Sequence, residues 1–580
     1  MMDYRIPRRR ILSLFVGFIM FCLAIGYRIF SFQVVKSEAL SQEAVATRLQ
    51  ESEVPAQRGN IYDARHFDLA TNVPADQVSV IVNQLVDANG MSTAKDTAQK
   101  LAPLIGRTAD DIFAAITQPG KEWVVLKRRL PDDASQQIKN LKLPGVVLDP
   151  EPRRIYPMGD FASQILGFVN YDYVGSYGVE GAYNKIVGGT PGKLVGQRDN
   201  QGNVIALAKS AWDPPINGAD LTLTIDNSVQ WIIEKALDEA IAAQQAAGGT
   251  IIVQSPKTGA ILGMASRPSF NPNNFDTVTD AKLFENPAIS DAYEPGSTFK
   301  TLTMSLGLEA GVVTPNTTHN GGPYTIIPGG EKVYNALDVD FGLETMTEVL
   351  EHSSNLGAMW VAQLIGEDRY YRGLVAFGLG KPTGIDLEGE SAGILPLPGD
   401  PNWTSANAYT NAFGQGLATT PLQMVNAVSV MANGGLLMKP YVVSSYSDKS
   451  GTKTIEPTVV HRVISETTCN TITQMLTTVT NVTYVKWSVP GYDIATKSGT
   501  AQVPSPNGGY YENRTIGSLL GYGPSDDPQF SILVKIDEPK LSPWGETAAG
   551  PAYQKIFHQL FMLYGIPPTK PVVAIPTTSP

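Results

Sequence analysis

Glu294-Pro295-Gly296-Ser297-Thr298-Phe299-Lys300 is the stretch on which the reading of this 580-residue chain turns. It sets a serine hydroxyl and a lysine amine three positions apart, and a helix starting at the serine puts positions i and i+3 on one face. A serine hydroxyl is a poor nucleophile until a neighbouring base takes its proton. A lysine is such a base only when burial or nearby cations lower its pKa, because only the neutral amine accepts a proton. Pro295-Gly296 suits a tight turn that delivers the chain into a helix N-terminus, where free N–H groups and the helix dipole favour an oxyanion. Alone the pattern is weak. Ser92-Thr93-Ala94-Lys95 and Ser450-Gly451-Thr452-Lys453 match it too, and a serine opening a helix is usually only an N-cap.

Two later elements give the stretch its weight. Ser353-Ser354-Asn355 and then Lys497-Ser498-Gly499-Thr500 follow in order, completing a Ser-x-x-Lys, Ser-x-Asn, Lys-Ser/Thr-Gly set used for acyl transfer through serine. Both elements have decoys. Ser405-x-Asn407 and Ser505-x-Asn507 repeat the middle one, and Asn and Ser favour turns in any protein. Lys257-Thr258-Gly259 lies between apolar runs that read as a hairpin, and Lys449-Ser450-Gly451 sits in a polar run that reads as a loop tip. Lys497 instead follows the alternating Tyr492-Asp493-Ile494-Ala495-Thr496, a strand pattern on which Gly499 would let a substrate backbone approach. Ser297, Lys300, Ser353, Asn355 and Lys497 are therefore the candidate catalytic residues, with Ser498, Gly499 and Thr500 as candidate substrate-binding residues. His352, beside Ser353, reads as a packed histidine rather than a second base.

With these elements and Arg58-Gly59-Asn60-Ile61-Tyr62-Asp63, Arg154-Ile155-Tyr156-Pro157, Gly178-Val179-Glu180-Gly181, Leu223-Thr224-Ile225-Asp226 and Phe413-Gly414-Gln415-Gly416, the chain resembles a class B penicillin-binding protein. The likeness runs from the N-terminal helix to about residue 563. Ala64-Arg65-His66-Phe67 stands where the family usually has an Arg-Asn-Gly turn, Pro287 replaces a common arginine, and Ser255 stands where an aspartate is usual. The resemblance implies a peptidoglycan D,D-transpeptidase that cross-links stem peptides, is acylated by β-lactam antibiotics, and holds its catalytic domain off the membrane on a pedestal. It implies Lys300 as base for Ser297, Ser353 as proton relay, and Asn355 as a ligand of Lys300 and of the substrate amide. Lys497, Ser498 and Thr500 would bind a terminal carboxylate, and the N–H groups of Ser297 and Thr500 would form the oxyanion hole. Tyr177-Gly178-Val179-Glu180-Gly181 and the compact length resemble division enzymes more than elongation enzymes.

Bulk properties agree. Hydrophobic content of 43% and charged content of 17% fit a globular chain of two or three domains. A net charge of −11 argues against nucleic acid as a partner. Cys22 and Cys469 are the only cysteines, the first within an apolar run, so no structural disulfide is expected. The five histidines (His66, His319, His352, His461, His558) are scattered, and no metal or other cofactor is expected. Ile11 to Tyr27 carries no charge, and Ile29 to Val35 extends the run past a snorkelling Arg28, which reads as an uncleaved anchor over 11–35. Arg5, Arg8, Arg9 and Arg10 precede it, placing residues 1–10 in the cytoplasm and the remainder outside the inner membrane.

The expected fold class is α+β: a single N-terminal transmembrane helix, an elongated mixed pedestal over 36–214, and a transpeptidase domain over 215–564 with an antiparallel sheet flanked by helices. In the pedestal, Gln77 to Val82 reads as a strand with Val78, Val80 and Val82 on one face, and Thr93 to Ile105 as a helix. Arg153 and Arg154 read as solvated or salt-bridged surface residues. Asp226 caps a helix to Gln245 that Gly248-Gly249 would stop. Strands follow at Thr250–Gln254, Ala260–Ala265, Ser518–Gly521 and Phe530–Ile536, with a last helix from Tyr553 to Tyr564. Residues 565–580 read as a Pro/Thr-rich disordered tail.

Other readings are an elongation-type transpeptidase, a serine β-lactamase or D,D-carboxypeptidase, and a non-catalytic scaffold or β-lactam sensor. No stretch resembles a glycosyltransferase, so a polytopic membrane glycosyltransferase, with other division or elongation proteins, is the partner the resemblance implies.

Overall fold

The structure is a computed structural model that describes residues 8–38, 40, 49–87, 90–197, 211–506 and 508–571. Arg5, Asn507 and the part of the expected tail beyond residue 571 lie outside these residues. Chain contacts divide it into two compact units, Met1–Gln57 with Gly189–Gly218 and Arg58–Gly188 with Ala219–Pro580.

The first unit holds helix α1 (Arg8–Phe30), which runs on as a π-helical turn over Ser31–Val35. The 28 residues Arg8–Val35 are long and apolar enough to cross a membrane, at about 42 Å for a rise of ~1.5 Å per residue. None of its side chains is buried. The same unit contains an antiparallel sheet of Leu49–Val54, Gly192–Gln197 and Ala211–Asp213.

In the second unit, strand Ala75–Ile81 lies between Trp123–Pro131 and Val146–Pro150. Val78 and Val80 point into a core with Leu101, Ile105, Ile112 and Ile116. Val82 does not continue that face, because the strand ends at Ile81 and Val82 opens a 3-10 turn. Where the sequence has Ala64-Arg65-His66-Phe67, the Asp63 carboxylate accepts the N–H groups of Arg65 and Phe67, each at 2.8 Å. His66 takes the left-handed position at φ +64 that glycine would fill without strain.

Arg154 is not a surface residue. Its Nε donates to Glu180 Oε1 at 2.7 Å, Arg58 Nε donates to Oε2 at 2.6 Å, and Tyr156 OH is 3.2 Å from Oε1. All four side chains are buried, which is tolerable because the carboxylate sits between two guanidinium groups.

The catalytic part is a five-stranded, wholly antiparallel sheet. Helix α2 (Asn227–Gln244) is capped by the Asp226 carboxylate, which accepts Ser228 N–H. It ends at Gln245 in the left-handed conformation rather than at the glycines. Gly248 and Gly249 already belong to strand β1 (Gly248–Gln254), where a Cβ would lie 2.5 Å from Arg267 O and 2.7 Å from Lys535 O respectively. Strand β2 (Ile261–Arg267) completes the hairpin, and the chain returns late with β3 (Ala495–Pro504), β4 (Tyr510–Gly523) and β5 (Phe530–Asp537). The order is β2-β1-β5-β4-β3, so β3 is an edge strand. Between β2 and β3 come α3 (Lys300–Glu309), α4 (Met346–Glu351), α5 (Asn355–Ile365), α6 (Pro421–Ala432) and α7 (Glu466–Val482), and α8 (Gly545–Leu563) closes the domain.

Period-2 alternation divides the sheet's side chains between two cores. Ile251, Val253, Ile532, Val534 and Leu519 pack with α2 and α8. Ile252, Leu533 and Leu520 join the larger core built by α3, α5, α6 and α7. α3 is buried on every side from Lys300 to Gly307, which fixes Ser297 beside the edge strand β3.

Candidate active site

Ser297 lies in a 3-10 turn, Gly296–Phe299, that runs directly into α3. The α-helix therefore opens at Lys300, one tight turn later than a helix starting at the serine. Gly296 explains the difference: it sits at φ +57 and donates its N–H to Gly414 O at 3.1 Å. A Cβ on Gly414 would come within 2.3 Å of Gly296 O, so the Phe413-Gly414-Gln415-Gly416 segment must be glycine-rich to seat the turn. Glu294 binds both neighbours: one carboxylate oxygen accepts Gly416 N–H and the other Tyr510 OH, each at 2.9 Å. Residues 293–300 are buried except Ser297, which is partly exposed.

Lys300 is 1% exposed. Its Nζ is 3.0 Å from Ser297 Oγ, 3.2 Å from Ser353 Oγ and 2.8 Å from Asn355 Oδ1, and it also contacts Ser353 O. A charged ammonium has three donors and no acceptor, so it can only donate to these oxygens. A neutral amine turns its lone pair towards a hydroxyl, and Ser297 offers one. Burial pushes the amine well below the ordinary lysine range, and the positive charge of Lys497 adds to it, while Glu344 opposes.

The middle element does two things at once. Ser354 is an N-cap, accepting Gly357 N–H at 3.1 Å, as its turn-forming composition allows. Ser353 and Asn355, on either side, reach Lys300. Ser353 can do so because its backbone is left-handed at φ +57, a strained conformation for a non-glycine residue that costs roughly 1–2 kcal/mol. Asn355 is oriented by Tyr334 O, which accepts its Nδ2 at 2.9 Å, and Asn335 Oδ1 accepts its backbone N–H at 2.9 Å.

Lys497 is fully buried on β3 and donates to Tyr484 OH and Ser498 O, both at 3.1 Å. Ser498 Oγ is 2.7 Å from the same tyrosine oxygen, and Thr500 Oγ1 accepts Gly545 N–H at 2.9 Å. The bare face of Gly499 is filled by the nucleophile turn: a Cβ there would be 2.9 Å from Pro295 O and 2.9 Å from Thr298 Cγ2. The decoys go elsewhere. Lys95 is exposed, Lys257 pairs with Asp527 at 2.5 Å, and Ser450 is at a hairpin tip.

Tyr484, Glu294, Gly414, Tyr334 and Asn335 were not read from sequence as site residues. Gly414 alone carried a signal, its place in a glycine-rich segment. Cys22 and Cys469 are both free. Among the described residues there is no cluster able to hold a metal.

Profiles for the penicillin binding protein transpeptidase domain and the penicillin-binding protein dimerisation domain match residues 249–561 and 53–223. The chain is 33% identical to stage V sporulation protein D of Bacillus subtilis over 97% of its length and 87% of the relative's. It is 31% identical to peptidoglycan D,D-transpeptidase FtsI of Escherichia coli, covering 96% of this chain and 92% of that one. The chain belongs to the class B penicillin-binding proteins. Among solved structures, penicillin binding protein 3 of Mycobacterium tuberculosis, complexed with aztreonam, superposes with a TM-score of 0.69 at 26% identity, over 90% of this chain and 99% of that one. Like other members of its class, this penicillin-binding protein is a serine-type D,D-transpeptidase built as an apolar N-terminal helix, a dimerisation or pedestal domain and an α+β transpeptidase domain.

Proposed function

We propose that Ser297 forms the acyl-enzyme with a stem peptide, with Lys300 as its base. The supporting observation is the amine of Lys300, buried and 3.0 Å from Ser297 Oγ with its pKa held down. Lys300 takes the hydroxyl proton as Oγ attacks the carbonyl between the two terminal D-alanines. The C–N bond breaks, Ser353 passes a proton to the leaving amine, and free D-alanine departs. An amine of a second stem then attacks the ester, forming the cross-link and returning the proton to Ser297. Asn355 holds Lys300 and the substrate amide. Lys497, Ser498 and Thr500 receive the terminal carboxylate, and the N–H groups of Ser297 and Thr500 take the oxyanion. That pairing is supported by proximity, since a Cβ on Gly296 would lie 3.0 Å from Thr500 O. Losing one oxyanion donor would cost ~3 kcal/mol of barrier.

The same serine would be acylated by β-lactams, as the aztreonam complex of the mycobacterial relative leads one to expect. Residues 1–10 are assigned to the cytoplasm, 11–35 to the anchor, 36–214 to the pedestal, 215–564 to the extracytoplasmic transpeptidase domain and 565–580 to the tail. Septal synthesis is the cellular role, resting on the Tyr177–Gly181 segment, with a polytopic glycosyltransferase as partner. Depletion producing filaments supports the septal role, and rounding overturns it.

The chemistry is tested by intact-protein mass spectrometry after exposure to labelled penicillin, with peptide mapping. A long-lived adduct on Ser297, absent in Ser297→Ala, is the expected result. An adduct that forms and clears quickly turns the reading towards hydrolysis, and a folded protein with no adduct overturns it.

A further inference from the structure

Glu344 lies in the short strand Leu343–Thr345, directly across from His319 in the antiparallel strand Thr318–Asn320. It is 1% exposed. Its Oε2 is 3.3 Å from Nδ1 of His352, whose ring stacks on Phe341 at 4.6 Å between centroids. Its Oε1 and the Nε2 of His319 are both buried without a hydrogen-bond partner among the described residues, and the His319 ring stacks on Trp360. His352 immediately precedes Ser353, whose carbonyl and hydroxyl oxygens both meet Lys300 Nζ. The buried carboxylate is thus linked to the base through two residues, His352 and Ser353, yet no step of the acyl transfer uses it.

The groups that act on this centre come from several elements. Lys300 faces it from α3, with Lys497 behind on β3. His319 faces it across the strand pair and His352 from the end of α4. Glu348, on α4, interacts with His352 while its carboxylate accepts Thr345 N–H. A fixed anion beside an amine favours the ammonium, and a cation does the reverse. Glu344 and Lys497 therefore pull Lys300 in opposite directions.

We propose that Glu344, through its contact with His352, is a positioning residue that sets the pH below which Lys300 ceases to act as base. The His352 side chain is 39% exposed, so solvent protons reach it. An imidazolium at that place compensates the carboxylate, leaving Lys300 to the repulsion of Lys497 and keeping it neutral further into acid. Glu344 thus narrows the acid side of the enzyme's working range, and a protonated His352 offsets that narrowing. This rests on Lys300 being the base.

The test is the second-order rate of Ser297 acylation by a fluorescent penicillin, measured on the full chain in detergent from about pH 5 to 9. Parent, Glu344→Gln and His352→Gln are compared. In Glu344→Gln the acid limb should move about one unit lower, because the anion holding the proton on Lys300 is gone. In His352→Gln, which keeps a donor but cannot become cationic, the limb should move higher. A parent limb that neither variant moves, even where the rate falls uniformly, overturns the inference and leaves the lysine base standing. A parent without an acid limb overturns both. If Glu344→Gln fails to fold, His352→Gln decides alone: a profile superimposable on the parent's overturns the proposal.

Discussion

Lys300 shows what one residue gives up for its chemistry. Burying a lysine strips its ammonium of water, and a second buried lysine at 497 adds repulsion, so the folded-state pKa falls well below the ordinary 10.5. Between the folded and unfolded values the unfolded chain binds the extra proton, so stability rises with pH there. The favourable contribution is complete above the unfolded pKa and is lost as the pH falls through the folded one. Lys300→Met removes this linkage. Urea melts at about pH 7 and pH 10 should show the parent gaining stability relative to Lys300→Met as the pH rises. An equal difference at both pH values would mean that the amine is not depressed.

At the scale of elements, the site is a seam between the nucleophile turn and the edge strand β3, and Gly499 keeps the seam closed. In Gly499→Ala the new methyl meets Pro295 O and Thr298 Cγ2 at 2.9 Å and Ser518 Oγ at 2.8 Å, and the first of these is a backbone atom that cannot rotate out of the way. The strand should be pushed from the turn, with acylation slowed by about 10- to 100-fold and stability reduced by about 1–3 kcal/mol. Stopped-flow acylation with a chromogenic cephalosporin, alongside a thermal melt, measures both. Acylation at the parental rate would show that the separation of β3 from Ser297 is not critical.

The same seam explains what sequence could and could not disclose. Ser297 and Lys300 share a short local period, and Ser353, Asn355 and Lys497 sit in motifs whose order carries information. The hairpin β1–β2 and the cap at Asp226 were legible for similar local reasons. Tyr484 and Glu344 act through partners far along the chain, and a lone tyrosine or glutamate has no local signature. Glu294 stands in the deciding stretch, but its partners Gly416 and Tyr510 are equally remote. The end of α2 misled because Gln245 adopts the left-handed cap, while Gly248 and Gly249 serve close strand packing instead. Arg154 misled because only the fold reveals that Glu180 is waiting for it.

At the scale of the molecule, Glu180 fastens segments that the sequence separates widely. Its carboxylate receives Arg58 and Arg154, Arg58 also donates to Asn184 Oδ1 at 2.7 Å, and Arg154 to Gly59 O at 2.8 Å. Burial alone would push this carboxyl up, but the two arginines overcome it and hold it below the ordinary glutamate value of 4.5. Its contribution is therefore present above the unfolded pKa and is lost as the pH falls through the folded one. Glu180→Gln keeps the shape but leaves two guanidinium groups buried with no counter-charge between them, a loss of about 3–5 kcal/mol near neutral pH. The loss should shrink as acidification carries the pH from the unfolded carboxyl's value down through the depressed folded one, where the parent's own carboxyl takes up a proton and the two proteins become alike. Denaturant melts at pH 7 and at the acid end would show that convergence. A deficit that stays constant with pH would assign the effect to packing rather than charge, and acylation of Ser297 measured on the folded fraction should be little changed, since Glu180 touches none of the residues around the nucleophile.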